Sequence, residues 1–512
     1  MNLTPELDDL KEEIKAIATD CGLDFFDVVF ELCTYDQINQ IAALGGFPTR
    51  YPHWRFGMDY EKLSKSYTYG LSKIYEMVIN NDPCYAYLML SNPLVDQKLV
   101  MAHVYAHSDF FKNNLYFAHT SRRAIDEMAN HGARVRSHAE RHGHENVEEF
   151  LDACLSIENL IDIHSTGIRR HDEDKRTGYL ETGDEEDSGK VKRIRAKDYM
   201  DRFINPEEFL EQKRKELDEE KKKKRQFPEE PERDILLFLL QYAPLENWQR
   251  DVLSIVREEA YYFAPQWMTK IMNEGWATYW HSHMMTQHLS TDMEIIDFAD
   301  HHSGAVAQSP GQINPYKVGL ELLRDIEERW DKGRHGFEWE GCEDYEKRKN
   351  WDTHELKGRD KIFEVRRIHN DVTFIDAFLT ADFCEEHKLY SYRYNRKTGM
   401  YEIASRDYRD IKKQLLSNLT NGGQPFLYVT DGNHANRGEL YLRHKYEGTE
   451  LKLDHAKDTL RNVQRIWGRP VNLETVLNGK GRLLTYDGSE HREREVNVDV
   501  PAEYEETSSE SA

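Results

Sequence analysis

Two predicted helices carry histidine and glutamate side chains at spacings that suit a metal ion. His103 and His107 are four residues apart, so on a helix their imidazoles lie one above the other on the same face. Glu274, on a second predicted helix, could supply a third ligand. Two imidazoles and one carboxylate beside an open position form the arrangement of a catalytic zinc site. The sequence therefore predicts that His103, His107 and Glu274 bind a divalent transition metal, with zinc expected.

A catalytic metal site also needs a group that activates the bound water. In HExxH zinc helices the glutamate after the first histidine has that role, but Val104 occupies this position here. We expect Glu258 and Glu259 to be the catalytic acid–base residues instead, because they precede the Glu274 helix and Glu259 falls on an apolar stripe. His281, seven residues after Glu274 on the same helical face, is the expected fourth ligand or proton donor.

Each of these residues also has a structural interpretation. Histidines on apolar helix faces are commonly hydrogen-bonded within a protein core, and Glu258 and Glu259 could form salt bridges with an arginine such as Arg257. Asp109 could orient a ligand histidine through a hydrogen bond. Glu274 favours the metal interpretation, because burying a carboxylate on an apolar face is unfavourable unless a cation compensates its charge.

Helices must position these residues over most of the chain. Apolar residues at helical spacing predict helices up to about residue 170 and again over 234–330. The histidine pair lies in the predicted helix 93–112 and Glu274 in 265–288, which a break at Pro265 should begin. Gly275 within that helix costs about 1 kcal/mol relative to alanine, which indicates a close approach of another backbone.

The pattern changes after about residue 360. Alternating apolar and polar residues predict strands at 372–375, 388–394, 401–403, 426–429 and 440–442, followed by a helix at 454–466. We therefore predict a mainly α N-terminal domain over 1–350 and a smaller α+β C-terminal domain over 360–488. A charged insert is predicted at about 170–232, and a disordered acidic tail at 489–512.

Composition narrows the classes of function. The 512 residues carry a formal net charge of −24, which argues against a nucleic-acid partner because phosphate binding favours a basic face. No apolar run approaches the length of a membrane span, and the N-terminus lacks the features of a signal peptide. The six cysteines form no CxxC pair, so we expect reduced thiols in a cytoplasmic protein.

A set of longer motifs extends over most of the chain. They lie at residues 51–57, 91–93, 103–114, 152–162, 257–263, 273–281, 314–317, 325–330, 438–442 and 467–471. Together they resemble the SpoVR-like (stage V sporulation protein R) family over roughly residues 5–488. The resemblance implies a link to sporulation, through the peptidoglycan of the spore cortex, or to stress response. It also implies a serine protein kinase and a von Willebrand-type protein as partners.

A second likeness is confined to the candidate site. The sequence Asn-Glu-Gly-Trp-Ala at 273–277, after an HxxxH helix, is similar to the third-ligand helix of gluzincin-type metallopeptidases. This likeness implies metal-ligand roles for His103, His107 and Glu274 and a zincin-like helical core in the N-terminal domain. Our first hypothesis is therefore a metal-dependent enzyme that acts on a peptide or amide bond related to cell-wall material. The alternative is a non-catalytic regulatory or scaffold protein that binds the kinase and the von Willebrand-type protein, which Val104 and the acidic surface favour.

Overall fold

The computed structural model describes residues 3–68, 76–165, 227–309, 311–395 and 398–498. The chain divides into two compact units. The first comprises residues 1–148 and 261–424, and the second comprises residues 149–260 and 425–512. Most of the predicted charged insert at 170–232 lies outside the described residues. The predicted tail begins at 489, but His491–Glu495 forms a strand, and residues 499–512 are not among those described. The predicted domain limits otherwise stay a prediction.

Helices make up most of the first unit. The helices of the described chain are α1 Pro5–Asp20, α2 Tyr35–Ala43, α3 Trp54–Thr68, α4 Leu94–Asn113, α5 Ala124–His142, α6 His144–Ser156, α7 Ile235–Tyr242, α8 Asn247–Met268, α9 Lys270–Met284, α10 Glu294–Ala305, α11 Pro315–Asp331, α12 Gly336–Glu340, α13 Tyr345–Lys349, α14 Gly358–Ile368, α15 Asp371–Phe378, α16 Ala381–Glu386, α17 Tyr408–Leu419 and α18 Leu453–Trp467. A π-helical turn, Met285–Leu289, directly follows α9. None of these helices combines the length and hydropathy that a membrane-spanning helix needs.

Among the described residues, ten strands form three sheets. They are β1 Val28–Cys33, β2 Glu76–Ile79, β3 Cys84–Met89, β4 Ser391–Asn395, β5 Met400–Ser405, β6 Leu427–His434, β7 Glu439–His444, β8 Val471–Leu477, β9 Lys480–Tyr486 and β10 His491–Glu495. In the first unit, β1 pairs parallel with β3, β2 pairs antiparallel with β3, and β4 and β5 form a hairpin. In the second unit the strand order is β10-β9-β8-β7-β6, with β7 and β8 parallel. The helix α18 connects these two parallel strands, as a crossover must.

The predicted fold class is confirmed at a coarse level: a mainly α N-terminal part precedes a smaller C-terminal sheet region. The all-helical prediction for the first 170 residues is wrong at β1, β2 and β3. The strand predicted at 372–375 is also wrong, because these residues belong to α15. There the Asn370 side chain and Thr373 form a capping box that starts a helix, and this local signal outweighs the β-branched run.

The central helices α4 and α9 hold the candidate site. Fifteen of the twenty residues of α4 are buried, as expected for a helix that other elements surround on all sides. The predicted break at Pro265 is wrong, since Pro265 lies inside α8 and α9 begins after Thr269. The close backbone approach predicted from Gly275 is confirmed. A Cβ atom at Gly275 would lie 2.4 Å from the Cα atom of Gly319 in α11.

Candidate metal centre

His103 and His107 from α4 and Glu274 from α9 come together inside the first unit. Their nearest donor atoms all lie within 4.8 Å of one another. The Nε2 atom of each histidine is 3.6 Å from Oε2 of Glu274. With metal–ligand bonds of about 2.1 Å, two donor atoms of a tetrahedral zinc site lie roughly 3.4 Å apart. The spacing of these donor atoms therefore suits a single ion between them.

The hydrogen bond of His107 leaves one ring nitrogen available. Its Nδ1 atom lies 2.9 Å from Oδ1 of Asn273. An amide oxygen can only accept a hydrogen bond, so Nδ1 carries the proton and Nε2 presents its lone pair to Glu274. Burial and the neighbouring His103 lower the pKa of His107 to about 4. The imidazole is therefore neutral at pH 7, which is the form that binds metals.

Glu274 places a negative charge beside the two imidazoles. Burial raises the pKa of Glu274, but His103, His107 and Lys270 together lower it by more, so the net shift is downward. Its Oε2 atom is buried and has no hydrogen-bond partner among the described residues. A buried carboxylate oxygen that faces ring nitrogens without a donor is unfavourable. A cation among the three residues would remove that cost, so the donor set fits a divalent metal such as zinc.

A chain of histidines extends behind His103. The Nδ1 atom of His103 is 2.8 Å from Nδ1 of His281, and Nε2 of His281 is 3.2 Å from Nδ1 of the half-buried His302. Burial and the neighbouring imidazoles lower the pKa of His281 well below its ordinary value. His281 thus contacts the ring nitrogen of His103 that faces away from Glu274. This position suits a residue that fixes the orientation and tautomer of His103. The role of His281 as a fourth ligand or proton donor stays a prediction.

Two buried aspartates hold α4 and α9 in place. The carboxylate of Asp371 accepts the backbone N–H groups of Ile271 and Met272 at 2.8 and 2.9 Å, and so caps the first turn of α9. Burial raises the pKa of Asp371 to about 7. Asp109 in α4 accepts a hydrogen bond of 2.8 Å from the indole N–H of Trp276 in α9. Asp109 therefore ties the two helices together, and the expectation that it orients a ligand histidine is wrong.

The predicted acid–base pair lies in another part of the chain. Glu258 and Glu259 belong to the second unit. Glu258 accepts a hydrogen bond of 2.8 Å from the hydroxyl of Ser254, and Glu259 is buried. Within the described ranges, neither belongs to the group of donor atoms around Glu274. Their catalytic roles stay a prediction.

Sequence reasoning missed two residues that support the site. Asn273 precedes Glu274 in the chain, and its place in the same motif was the available signal. Asp371 lies about a hundred residues beyond the start of α9, and no local pattern connects it with that helix. Both residues act through tertiary contacts that only the fold establishes.

Comparisons with known proteins agree over nearly the whole chain. The family model described as SpoVR like protein matches residues 2–424, which include the candidate metal centre, and the model for the SpoVR-like C-terminal domain matches residues 425–478. The uncharacterized protein YcgB of Escherichia coli (strain K12) is 30% identical over 496 residues, which cover 91% of each chain. No solved structure matches.

Proposed function

This chain belongs to the SpoVR-like protein family, and we propose that it is a metal-dependent enzyme that acts on a peptide or amide bond. One observation carries the proposal: the Nε2 atoms of His103 and His107 each lie 3.6 Å from a buried oxygen of Glu274 that lacks a hydrogen-bond partner in the described chain. Two imidazoles and one carboxylate leave room for water or substrate on a bound zinc ion.

The chain's own residues would hold such an ion and orient its ligands. His107 is fixed by Asn273, and His103 is fixed by His281. Glu274 balances part of the positive charge. Zinc bound there would polarise a carbonyl oxygen and lower the pKa of a coordinated water. We propose amide bonds of cell-wall peptides as the substrate class, in keeping with the cortex association that the family resemblance implies.

Proton transfer needs a group other than the one that HExxH enzymes use. Val104 is wholly buried and has no ionisable group. This observation favours a second candidate function, in which the same metal site stabilises a regulatory or scaffold protein that binds a serine protein kinase and a von Willebrand-type protein. The two functions share the metal and differ in whether a bond is cleaved.

Metal analysis combined with a cleavage assay tests the proposal. We expect wild-type protein to retain zinc, measured by inductively coupled plasma mass spectrometry, and to release free amines from peptidoglycan-derived peptides. Glu274→Gln keeps the shape of the side chain but removes its charge, and should lower the zinc content by about one ion per chain and cleavage by at least about tenfold. Glu158→Gln, which changes a carboxylate outside the donor group, is the matched control and should lower neither.

Three outcomes separate the functions. The enzyme is supported if the wild-type protein binds zinc and cleaves the peptides, and if Glu274→Gln abolishes the cleavage. Zinc without cleavage, together with zinc-dependent capture of the kinase or the von Willebrand-type protein, supports the scaffold. A wild-type protein that binds no transition metal after dialysis against zinc overturns both.

A further inference from the structure

A second group of side chains that could bind a metal lies in the first unit. It shares no residue with the candidate metal centre. The sulfur of Cys21 and ring nitrogens of His283 and His288 all lie within 4.8 Å of one another. Cys21 is a free, half-buried thiol at the end of α1. His283 is in the last turn of α9, and His288 is in the π-helical turn that follows. None of the three side chains contributes to the group around Glu274.

The π-helical turn is what brings the two histidines together. Residues five apart in a regular α-helix point about 140° away from each other, so His283 and His288 would not share a face. In the turn Met285–Leu289 the hydrogen bonds connect residues five apart, as in the 3.0 Å bond from the Ser290 N–H to the Met285 carbonyl. This wider turn aligns the two imidazoles. Such turns are rare and occur frequently at functional sites, which is independent support for a site here.

The chemistry of the three donors favours a thiophilic metal. One thiolate and two imidazoles are ligands that zinc takes in proteins. Burial raises the pKa of the Cys21 thiol, although the guanidinium of Arg359 opposes that shift. Burial, together with Arg359 and His288, lowers the pKa of His283 and so favours its neutral form. Binding of the metal would release the proton of the Cys21 thiol to the solvent.

We propose that Cys21, His283 and His288 form a second metal site that binds zinc or a similar thiophilic transition metal. The ion would tie the end of α1 to the end of α9, the helix whose other end carries Glu274. His288 is exposed, so the ion would be able to exchange with the solvent. This proposal goes beyond the proposed function and does not depend on it.

Cobalt spectroscopy distinguishes this site from the first one. Cobalt(II) bound to a thiolate shows a sulfur-to-metal charge-transfer band in the near ultraviolet, and His103, His107 and Glu274 offer no sulfur. Full-length protein, reduced and freed of metal, should therefore show this band when cobalt chloride is added. The band should persist in His103→Ala, which removes a ligand of the first site only. Failure of the proposed function would leave this result unchanged.

Two kinds of variant test the ligands. Cys21→Ser should abolish the band. Cys342→Ser should keep it, because Cys342 is likewise a half-buried free cysteine but lies outside the group. His288→Ala changes an exposed side chain, so the fold should remain intact by circular dichroism while cobalt affinity falls at least about tenfold. A wild-type protein without the band, a band that survives Cys21→Ser, or an unchanged affinity in His288→Ala would overturn the proposal.

Discussion

Two buried histidines, one in each compact unit, share the same electrostatic character and differ in their neighbours. His107 in the first unit is 6% exposed and His444 in the second is 8% exposed. Burial is the main cause of a low pKa at both sites, and it brings the pKa of each histidine to about 4. The two residues would therefore be indistinguishable if burial and pKa alone were used to find functional sites.

Their hydrogen-bond partners separate them. The Nδ1 atom of His444 lies 2.9 Å from the hydroxyl of Thr475, a group that can donate or accept and leaves no charge uncompensated. His107 is also hydrogen-bonded through Nδ1, but its other ring nitrogen faces the buried oxygen of Glu274 that has no donor in the described chain. The pKa shift of His107 is accompanied by such an uncompensated group and that of His444 is not, which makes His107 the candidate for a functional site.

The largest expected difference between the two histidines is in zinc affinity. In a Cys21→Ser background, which removes the proposed second site, His107→Ala should weaken zinc binding by roughly 10³-fold, because a protein ligand contributes on the order of 3–4 kcal/mol to such a site. His444→Ala should leave the affinity unchanged. Isothermal titration calorimetry on metal-free protein measures both. Equal losses of zinc affinity in the two variants, or no loss in His107→Ala, would show that the two histidines do not differ in metal binding.

The second test concerns the pH dependence of stability. Without metal, the two histidines should behave alike. Each has a folded-state pKa of about 4, below the unfolded value of about 6.5. Between these values the unfolded chain binds a proton that the folded chain does not, so stability falls as the pH drops from about 6.5 towards 4, by up to about 3 kcal/mol per histidine.

Denaturant unfolding of metal-free protein at pH 7 and pH 5 measures this loss. His107→Gln and His444→Gln should each reduce it, since glutamine does not titrate. In the Cys21→Ser background, added zinc should raise the free energy of unfolding at pH 7 in His444→Gln but not in His107→Gln, because only His444→Gln keeps the three proposed ligands. A zinc effect of the same size in both variants would contradict the assignment of the metal to His107.

The sequence was enough to find the three residues of the candidate site but not the contacts that position them. His103 and His107 share a helix face because of their spacing alone, and Glu274 was identified as the carboxylate on an otherwise apolar stripe. Asp371 accepts hydrogen bonds from the first turn of α9, about a hundred residues away in the chain, and helical periodicity contains no information about such a contact.

The fold was predicted where one strong periodic pattern dominated and missed where a local signal competed with it. The buried helices α4 and α9 and the strands β6 and β7 follow their patterns, whereas β8, β9 and β10 were not predicted. Asn370 and Thr373 instead start a helix at residues whose β-branched side chains predict a strand. The parallel pairing of β1 and β3 joins residues more than fifty positions apart, so no hairpin signal marks it in the sequence.

The smallest expected effect concerns the partners of the two histidines. In the Cys21→Ser background, Asn273→Ala removes the group that orients His107 and should weaken zinc binding about 10- to 100-fold, as the loss of a hydrogen bond to a ligand commonly does. Thr475→Val removes the partner of His444, leaves zinc affinity unchanged and lowers the free energy of unfolding by about 1 kcal/mol. Titration calorimetry and denaturant unfolding of the two variants test this. Unchanged zinc affinity in Asn273→Ala would mean that its bond to His107 serves packing alone, as the bond between Thr475 and His444 does.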